Sequence, residues 1–160
     1  MFIALMVCTS LYAYDFEKKG VYYNIKGEEA VVTSTNQVVF NFDNINEISQ
    51  PVKVVIPEFV KYNKKKYLVT GIEDKSFCLF VRKMTSISIP KSVKFIGKRA
   101  FARCNDLKKI YCQAIESPMV EPDAFDELKV SDITLYVPAD AVDKYKNHPV
   151  WGKFKVCAGK

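Results

Sequence analysis

One phenylalanine recurs at a fixed interval, and this repeat constrains the fold more than any other feature of the chain. Phe77, Phe101 and Phe125 are spaced 24 residues apart, and Ile72 and Ile96 each lie five residues before a phenylalanine. An internal period of roughly 20 to 29 residues is typical of a solenoid, in which each unit buries its apolar side by stacking on its neighbours. The spacing therefore predicts a short stack of units with the phenylalanines in one internal column.

Each unit also carries a short apolar strand. Ile87–Pro90 is followed two periods later by the similar Leu135–Pro138, with Ile110–Cys112 between them. Val54–Pro57 precedes the first of these strands by 33 residues, nine more than one period, and the surplus predicts a hairpin inserted around the polar run Asn63–Lys66. We expect the strands to pair side by side as a ladder.

The residues before the repeats are predicted to form a β-hairpin cap over residues 14–50. After a polar lead-in at Tyr14–Lys19, Val21–Ile25 alternates in character, and Ala30–Thr33 is the return strand. Val38–Phe42 is a third candidate strand. This segment lacks the 24-residue period, and its expected role is to cover the open end of the stack.

The opposite end is predicted to carry a helical cap. Ala139–Lys146 has the pattern of a short helix, which Pro149 must end. Trp151 and Phe154 then supply large apolar surface outside the repeat. We interpret them as a lid over the stack, in preference to a site where Trp151 stacks on a sugar.

The composition supports one packed domain and excludes several classes of function. The chain has 160 residues, of which 49% are hydrophobic and 13% aromatic, so it is not disordered. Its net charge of +6 comes from 24 basic and 18 acidic residues spread along the sequence, with one short cluster at Lys64–Lys66. Nucleic-acid binders concentrate basic residues on one face or element. No nucleic-acid partner is therefore predicted, although the basic charge could help contact with an acidic surface.

Residues 1–13 are uncharged and apolar or small, and they are predicted to be a signal peptide for export that ends at Ala13. Such a stretch is too short to cross a bilayer as a helix, so no transmembrane span is predicted. Leu5–Cys8 resembles a lipoprotein cleavage box, but the bulky Val7 stands where a small residue is expected. Secretion by simple cleavage is therefore favoured over a lipid anchor at the cell surface.

The remaining cysteines and the single histidine do not form a recognisable metal or cofactor site. None of Cys78, Cys104, Cys112 and Cys157 belongs to a CxxC pair, and Cys104 and Cys112 fall at inward positions of the repeat. Buried free thiols are favoured, while export would leave disulfides open. His148 alone cannot build a histidine-rich zinc site, so no metal and no cofactor are predicted.

The segment 87–107 closely resembles the BspA-type leucine-rich repeat, whose units read roughly I-x-I-P-x-S-V-x-x-I-G-x-x-A-F-x-x-C-x-x-L. The ending 135–154 is similar to the terminal segment of that family, and the resemblance covers residues 51–154. The first repeat departs from the pattern by its inserted hairpin. The third has Pro122-Asp123 where isoleucine and glycine are usual, which predicts a different turn there.

The resemblance implies a β-rich α+β fold, namely a short right-handed solenoid of leucine-rich repeats with an N-terminal β-hairpin cap and a C-terminal helical cap. The expected boundaries are 1–13 for the signal peptide, 14–50 for the first cap, and 51–160 for the repeats with their second cap. Members of the family are typically exported proteins of bacteria that live with animal hosts, and some are implicated in adhesion to host matrix proteins or other cells. The family has no catalytic residues to transfer.

The outward side of the strand ladder is the predicted binding surface. If the apolar side chains of the ladder point inward, alternation places one row outward: Val55, Ser88, Tyr111 and Tyr136. A neighbouring row contains Lys53, Ser86, Lys109 and Thr134. The tyrosine pair would give large, rigid contact area with polar tips, the alternative being ordinary exposed strand residues. The candidate partner-binding residues are Lys53, Val55, Ser88, Lys109, Tyr111 and Tyr136.

The favoured function is an exported or cell-surface module, monomeric, that binds a protein such as a host matrix or cell-surface protein. The first alternative is a structural subunit that assembles through the repeat ends or a strand edge. The second is a carbohydrate-acting enzyme, which would need two facing carboxylates about 5 to 10 Å apart in a cleft. Glu73, Asp74, Glu121 and Asp123 lie in predicted turns and nothing in the sequence pairs them. The chain is therefore predicted not to be an enzyme.

Overall fold

The computed structural model describes residues 14–34, 51–78 and 83–159, and within these ranges the chain is built mainly of strands. The strands are β1 (Phe16–Lys18), β2 (Val21–Lys26), β3 (Glu29–Thr33), β4 (Pro51–Val55), β5 (Phe59–Tyr62), β6 (Lys65–Ile72), β7 (Lys83–Ile89), β8 (Phe95–Ile96), β9 (Lys109–Cys112), β10 (Met119–Val120), β11 (Thr134–Val137) and β12 (Lys155–Ala158). A single short α-helix in these ranges, α1 (Val142–Lys146), follows the last repeat strand. Among the residues described, no helix has both the length and the apolar character that a bilayer crossing requires. The predictions for 1–13 and for 38–42 fall outside the described residues.

The strands of the described ranges form two sheets. One, which we call the ladder, has the order β4–β7–β9–β11–β12, and every neighbouring pair in it is parallel. The second sheet runs β1–β2–β3–β6–β8–β10, with β5 paired to β6. From β6 to β11 consecutive strands alternate between the two sheets, and side chains of both join one hydrophobic core. This alternation of parallel strands is the winding of a solenoid.

The 24-residue period is confirmed by the register of the second sheet. Ile72 pairs with Ile96, and Ile96 pairs with Val120. Val120 and Glu121 therefore occupy the isoleucine and glycine positions of the third unit, so the assignment of those positions to Pro122-Asp123 is wrong. The Ala100 amide donates a hydrogen bond to the Gly97 carbonyl at 3.3 Å, and the Ala124 amide donates to the Glu121 carbonyl at 3.0 Å. The same main-chain hydrogen bond therefore closes the turn in the second and third units.

The phenylalanine column predicted from the repeat is confirmed. The Phe77 ring stacks on Phe101 with centroids 5.3 Å apart, and Phe101 stacks on Phe125 at 5.1 Å. All three rings are buried. The amide of Phe77 donates a hydrogen bond to the Ala100 carbonyl, and that of Phe101 to the Ala124 carbonyl, both at 2.8 Å. The units are thus joined through their turns as well as through their strands.

The predicted N-terminal hairpin is present, and it continues the second sheet. β2 and β3 pair antiparallel, and β3 then pairs in parallel with β6 of the first repeat. The polar lead-in also contains a strand that the sequence did not predict, β1, which pairs with β2. The Phe16 ring of β1 stacks on Tyr23 at 5.1 Å and on Tyr62 at 4.8 Å. Contacts with a distant strand therefore order a segment whose own sequence pattern is polar.

The hairpin inserted into the first repeat is also present. β5 and β6 pair antiparallel with Tyr62 opposite Lys65, which leaves Asn63 and Lys64 as a two-residue turn. Their φ angles are 46° and 64°. Positive φ at both central residues is the property of a type I′ turn, whose twist matches that of the strands it joins.

The C-terminal segment packs on the last ring of the column. A 3-10 turn at Ala139–Ala141 precedes α1, so the predicted helix is present in two parts. Trp151 and Phe154 pack edge-on against Phe125, with ring centroids 5.5 and 4.9 Å away. The Trp151 indole N–H donates to the Pro118 carbonyl at 3.3 Å. These contacts fit the predicted lid, while the right-handed winding and the capping roles of both ends stay predictions.

Candidate functional site

Alternation along the ladder strands separates a buried side from an outward side. Ile87, Ile110 and Leu135 align across β7, β9 and β11 and are fully buried. The residues that follow them point the other way, because successive side chains of a strand alternate. They form an aligned outward row, which continues onto β4: Val55, Ser88, Tyr111 and Tyr136. We call this the tyrosine row.

A second outward row lies two residues earlier on each strand. It consists of Lys53, Ser86, Lys109, Thr134 and, on the last strand, Lys155. We call this the lysine row. Its three lysines are exposed. The ladder thus brings all six candidate partner-binding residues onto one surface as two adjacent rows.

Tyr111 and Tyr136 stack on each other in the tyrosine row. Their ring centroids are 4.9 Å apart and their planes are inclined by 11°. Tyr111 is 38% exposed, and Val55 at the other end of the row is 65% exposed. Because each ring restricts the rotation of the other, a partner that packs on the pair loses little further side-chain entropy.

A shallow trough of ~360 Å³ lies on the ladder over β7. Its floor is formed by the small side chains of Ser86 and Ser88, which lie between larger side chains of the neighbouring strands. The walls are Lys53 and Val55 on β4, and Lys109 and Tyr111 on β9. Each wall therefore has a lysine toward one end of the trough and an apolar or aromatic side chain toward the other.

Thr85 and Lys108 also line the trough, and the sequence pattern did not predict them. A β-bulge at the Val52–Lys53 step shifts the register of β4 and β7, and it leaves Thr85 between two paired positions. The Thr85 carbonyl accepts a hydrogen bond from the Lys108 amide at 3.0 Å, which brings the loop before β9 to the trough. A bulge alters one strand locally, so the repeat period does not reveal it. The one available sequence signal was the adjacent pair Lys108-Lys109.

The ladder strands carry positive charge only. Their sequences contain four lysines and no acidic residue: Lys53, Lys83, Lys109 and Lys155. In the described part of the chain, no carboxylate is within ion-pair distance of these lysines or of Lys108. A row of uncompensated ammonium groups attracts acidic partners, and salt screens that attraction.

Of the acidic residues considered for catalysis, Glu73 and Asp74 have contacts typical of turn residues, while Oδ1 of Asp123 is buried and has no hydrogen-bond partner in the described part of the chain. Glu73 forms an ion pair with Lys26 of β2. Asp74 and Glu121 line one groove of ~710 Å³ beside β8 and β10. Asp74 Oδ1 accepts a hydrogen bond from the Lys98 amide at 2.8 Å, which ties it to the turn of the next repeat. Within the ranges described, no group of three His, Cys, Asp or Glu side chains is placed to hold a metal ion.

The four cysteines of the described ranges are free thiols, but only two are buried. Cys104 and Cys112 lie in the core as predicted, whereas Cys78 is half-buried and Cys157 is exposed on β12. The prediction of a buried thiol is wrong for Cys157, because this residue belongs to the outward side of the ladder, next to Tyr136. Burial and, to a lesser degree, the nearby Cys78 raise the pKa of the Cys104 thiol to about 12. Cys104 is therefore a packing group and not a thiolate nucleophile at neutral pH.

Comparison with known proteins agrees with this geometry. The sequence pattern described as BspA type leucine rich repeat region matches residues 69–147 in six copies. The fold is similar to a leucine-rich repeat protein from Bacteroides capillosus ATCC 29799, with a TM-score of 0.54 and 20% identity over 91% of this chain and 98% of that one. It is also similar to a leucine-rich repeat protein from Bacteroides ovatus ATCC 8483, with a TM-score of 0.52 and 21% identity over 78% of this chain and 38% of that one. At these identities the likeness supports the fold alone. No curated protein matches the chain.

Proposed function

We propose that this chain, which belongs to the BspA-type leucine-rich repeat family through residues 69–147, is an exported or cell-surface module that binds a protein partner. Binding takes place on the outward side of the ladder. The proposed contact residues are Lys53, Val55, Ser88, Lys109, Tyr111 and Tyr136. The partner is a host matrix or cell-surface protein, and the role is adhesion by a monomer.

The stacked pair Tyr111–Tyr136 carries this proposal. Tyrosine is enriched among the residues that dominate the energy of protein interfaces, because one ring buries large area and offers a hydroxyl for hydrogen bonding. Two such rings stacked with their centroids 4.9 Å apart hold each other in place. Val55 adds an exposed apolar side chain to the same row. The side chains of Tyr111, Tyr136 and Val55 are not part of the core, because they alternate along their strands with the buried residues. Their removal should therefore leave the fold intact.

The experiment compares capture of proteins by the immobilised chain and by a Tyr111→Ala/Tyr136→Ala double variant. Extracts of host extracellular matrix and host cell-surface proteins serve as the source, and each protein captured by the parent chain is then purified and titrated. We expect the double variant to raise the dissociation constant by about 30-fold or more, which corresponds to the loss of an interface hot spot.

A matched control removes two exposed large apolar side chains elsewhere. Phe59→Ala/Met119→Ala acts on side chains that are 41% and 75% exposed on the second sheet. It should bind like the parent chain. If the tyrosine variant keeps its circular dichroism spectrum and its thermal midpoint and still binds like the parent chain, the proposed site is wrong.

The proposal of export rests on residues 1–13 and is tested separately. We expect intact-mass analysis of protein recovered from the culture medium or the cell surface to show loss of these residues. A species cleaved before Cys8 and carrying a lipid would instead support the anchored form. Recovery of the uncleaved chain from inside the cell alone would contradict export.

The alternative of an assembly subunit is favoured by one observation. β12 ends the ladder within the described residues, and three of its four residues, Lys155, Cys157 and Ala158, are exposed. An outer strand can pair with a strand of another subunit. Light scattering across a range of concentrations separates the two functions, because a monomeric binder keeps one mass and an assembling subunit does not.

A further inference from the structure

We propose that the trough on the ladder binds an extended acidic segment of the protein partner, with a carboxylate at its lysine end and an apolar side chain at its Val55–Tyr111 end. The inference rests on the proposed function, because it specifies which part of a protein this surface recognises. Three properties of the trough carry it: its charge, the spacing of its two ends, and its floor.

The charge of the trough selects an acidic ligand. Lys53, Lys108 and Lys109 line it, and no Asp or Glu does. The ladder strands contain no acidic residue. A carboxylate placed between Lys53 and Lys109 meets positive charge from both walls, whereas a basic group there meets repulsion from both.

The spacing of the two ends matches an extended peptide. Lys53 and Val55 are two residues apart on β4, and Lys109 and Tyr111 are two residues apart on β9. Two residues of a strand span roughly 6.6 Å, and side chains at positions i and i+2 of an extended peptide project to the same side at that distance. A segment with Glu or Asp at one position and Leu, Ile, Val or Phe two positions later therefore presents both groups to the trough together.

The floor leaves room for such side chains. Ser86 and Ser88 are the smallest residues of their rows, and no hydrogen bond within the described chain engages either hydroxyl. They can donate to a ligand carboxylate or to a peptide carbonyl. A large residue at position 88 would instead fill the trough while it leaves the surrounding lysines in place.

The test uses synthetic peptides and the full chain. The probe is a blocked peptide of sequence Gly-Ser-Glu-Ser-Leu-Ser-Gly, titrated into isotopically labelled protein while the amide shifts of β7 and β9 are followed by NMR. Two comparison peptides replace Glu by Lys, or place Glu and Leu next to each other so that they point to opposite sides. We expect each to bind about tenfold more weakly than the probe, and higher salt to weaken the probe itself.

Two variants locate the binding. Lys53→Gln/Lys109→Gln removes both wall charges and should weaken the probe about tenfold. Lys61→Gln/Lys64→Gln removes the same charge from the inserted hairpin and should leave binding unchanged. Ser88→Tyr fills the floor without a change of charge and should abolish the shifts. Its circular dichroism spectrum and thermal midpoint report whether it folds, and the lysine variant carries the test if it does not.

The outcomes separate this inference from the proposed function. Absent or sequence-independent peptide binding overturns the inference, as does binding that ignores the wall lysines. If captured proteins then still depend on Tyr111 and Tyr136, the proposed function stands without it. Polygalacturonate, an acidic polysaccharide, is titrated in parallel. If polygalacturonate competes for the trough with higher affinity than the peptide, the inference is also overturned, because the surface would then bind an acidic sugar chain in preference to an acidic peptide.

Discussion

At the scale of the single residue, alternation along the ladder strands divides structural side chains from those available for binding. Ile87 is fully buried while its neighbour Ser88 lines the trough, and the same division holds for Ile110 and Tyr111. Substitutions at outward positions therefore remove contact groups and leave the packing of the core intact. This separation is what allows the binding proposals to be tested by variants that still fold.

The tip of the inserted hairpin offers a prediction at the same scale. Lys64 has φ of 64° in the two-residue turn, a conformation that costs an L-residue about 1 kcal/mol or more and costs glycine no steric strain. Lys64→Gly should raise the free energy of unfolding by about 0.5 kcal/mol, the remainder after the larger entropy that glycine loses on folding. Urea denaturation measures the change.

The control for the turn is Lys61→Gly, the same substitution at a strand position of the same hairpin. It should lower the free energy of unfolding by about 0.5 to 1 kcal/mol, because glycine weakens a strand interior. A loss of stability in both variants would show that the turn conformation of Lys64 is not strained.

At the scale of the element, each repeat is held by the ones beside it. The middle ring of the column, Phe101, stacks on a ring from each neighbouring unit and is 0% exposed. Phe101→Ala should therefore lower the free energy of unfolding by about 3 to 5 kcal/mol, the range for deletion of a buried aromatic ring. Met119→Ala removes a side chain that is 75% exposed and should change it by no more than about 0.5 kcal/mol. Equal losses in the two variants would contradict the column as the core of the stack.

The sequence predicts elements well where burial follows a local period, and poorly where it does not. The ladder strands β7, β9 and β11, the two hairpins and the phenylalanine column follow from alternation and from the 24-residue spacing, whereas β8, β10 and β12 were not predicted. β1 was missed because its order comes from the stacking of Phe16 on Tyr62, a contact between segments far apart in sequence. The sequence did not identify Lys108 as a trough residue, because the bulge beside Thr85 shifts the register of one strand and the repeat period does not reveal such a shift. The sequence therefore predicts which residues form the two outward rows, but not which further residues line the trough.

At the scale of the whole molecule, the core holds ionisable groups that must stay neutral for the fold to persist. Burial raises the pKa of the Cys112 thiol and of the Tyr145 hydroxyl, which lie 3.2 Å apart, and burial also raises the pKa of Tyr23. The Tyr145 hydroxyl donates a hydrogen bond to the Ala114 carbonyl at 3.0 Å, so this buried contact requires the protonated form of the side chain. Loss of these protons would place charges in the core.

The consequence is a stability that falls in alkaline solution. Cys104 illustrates the sign: its pKa rises from 9.0 to about 12 on folding, so between these values the unfolded chain has released a proton that the folded chain retains. The contribution of this thiol to the free energy of unfolding should therefore be constant below about pH 8 and fall above about pH 9, by up to about 1.4 kcal/mol per pH unit. Urea denaturation at pH 7, 9, 10 and 11 measures the slope. Cys104→Ala should reduce the slope by the share of this thiol, whereas Cys157→Ala, which removes an exposed thiol, should follow the parent chain. A slope unaffected by Cys104→Ala would show that this thiol is open to solvent and that the column beside it is less closely packed than its stacked rings indicate.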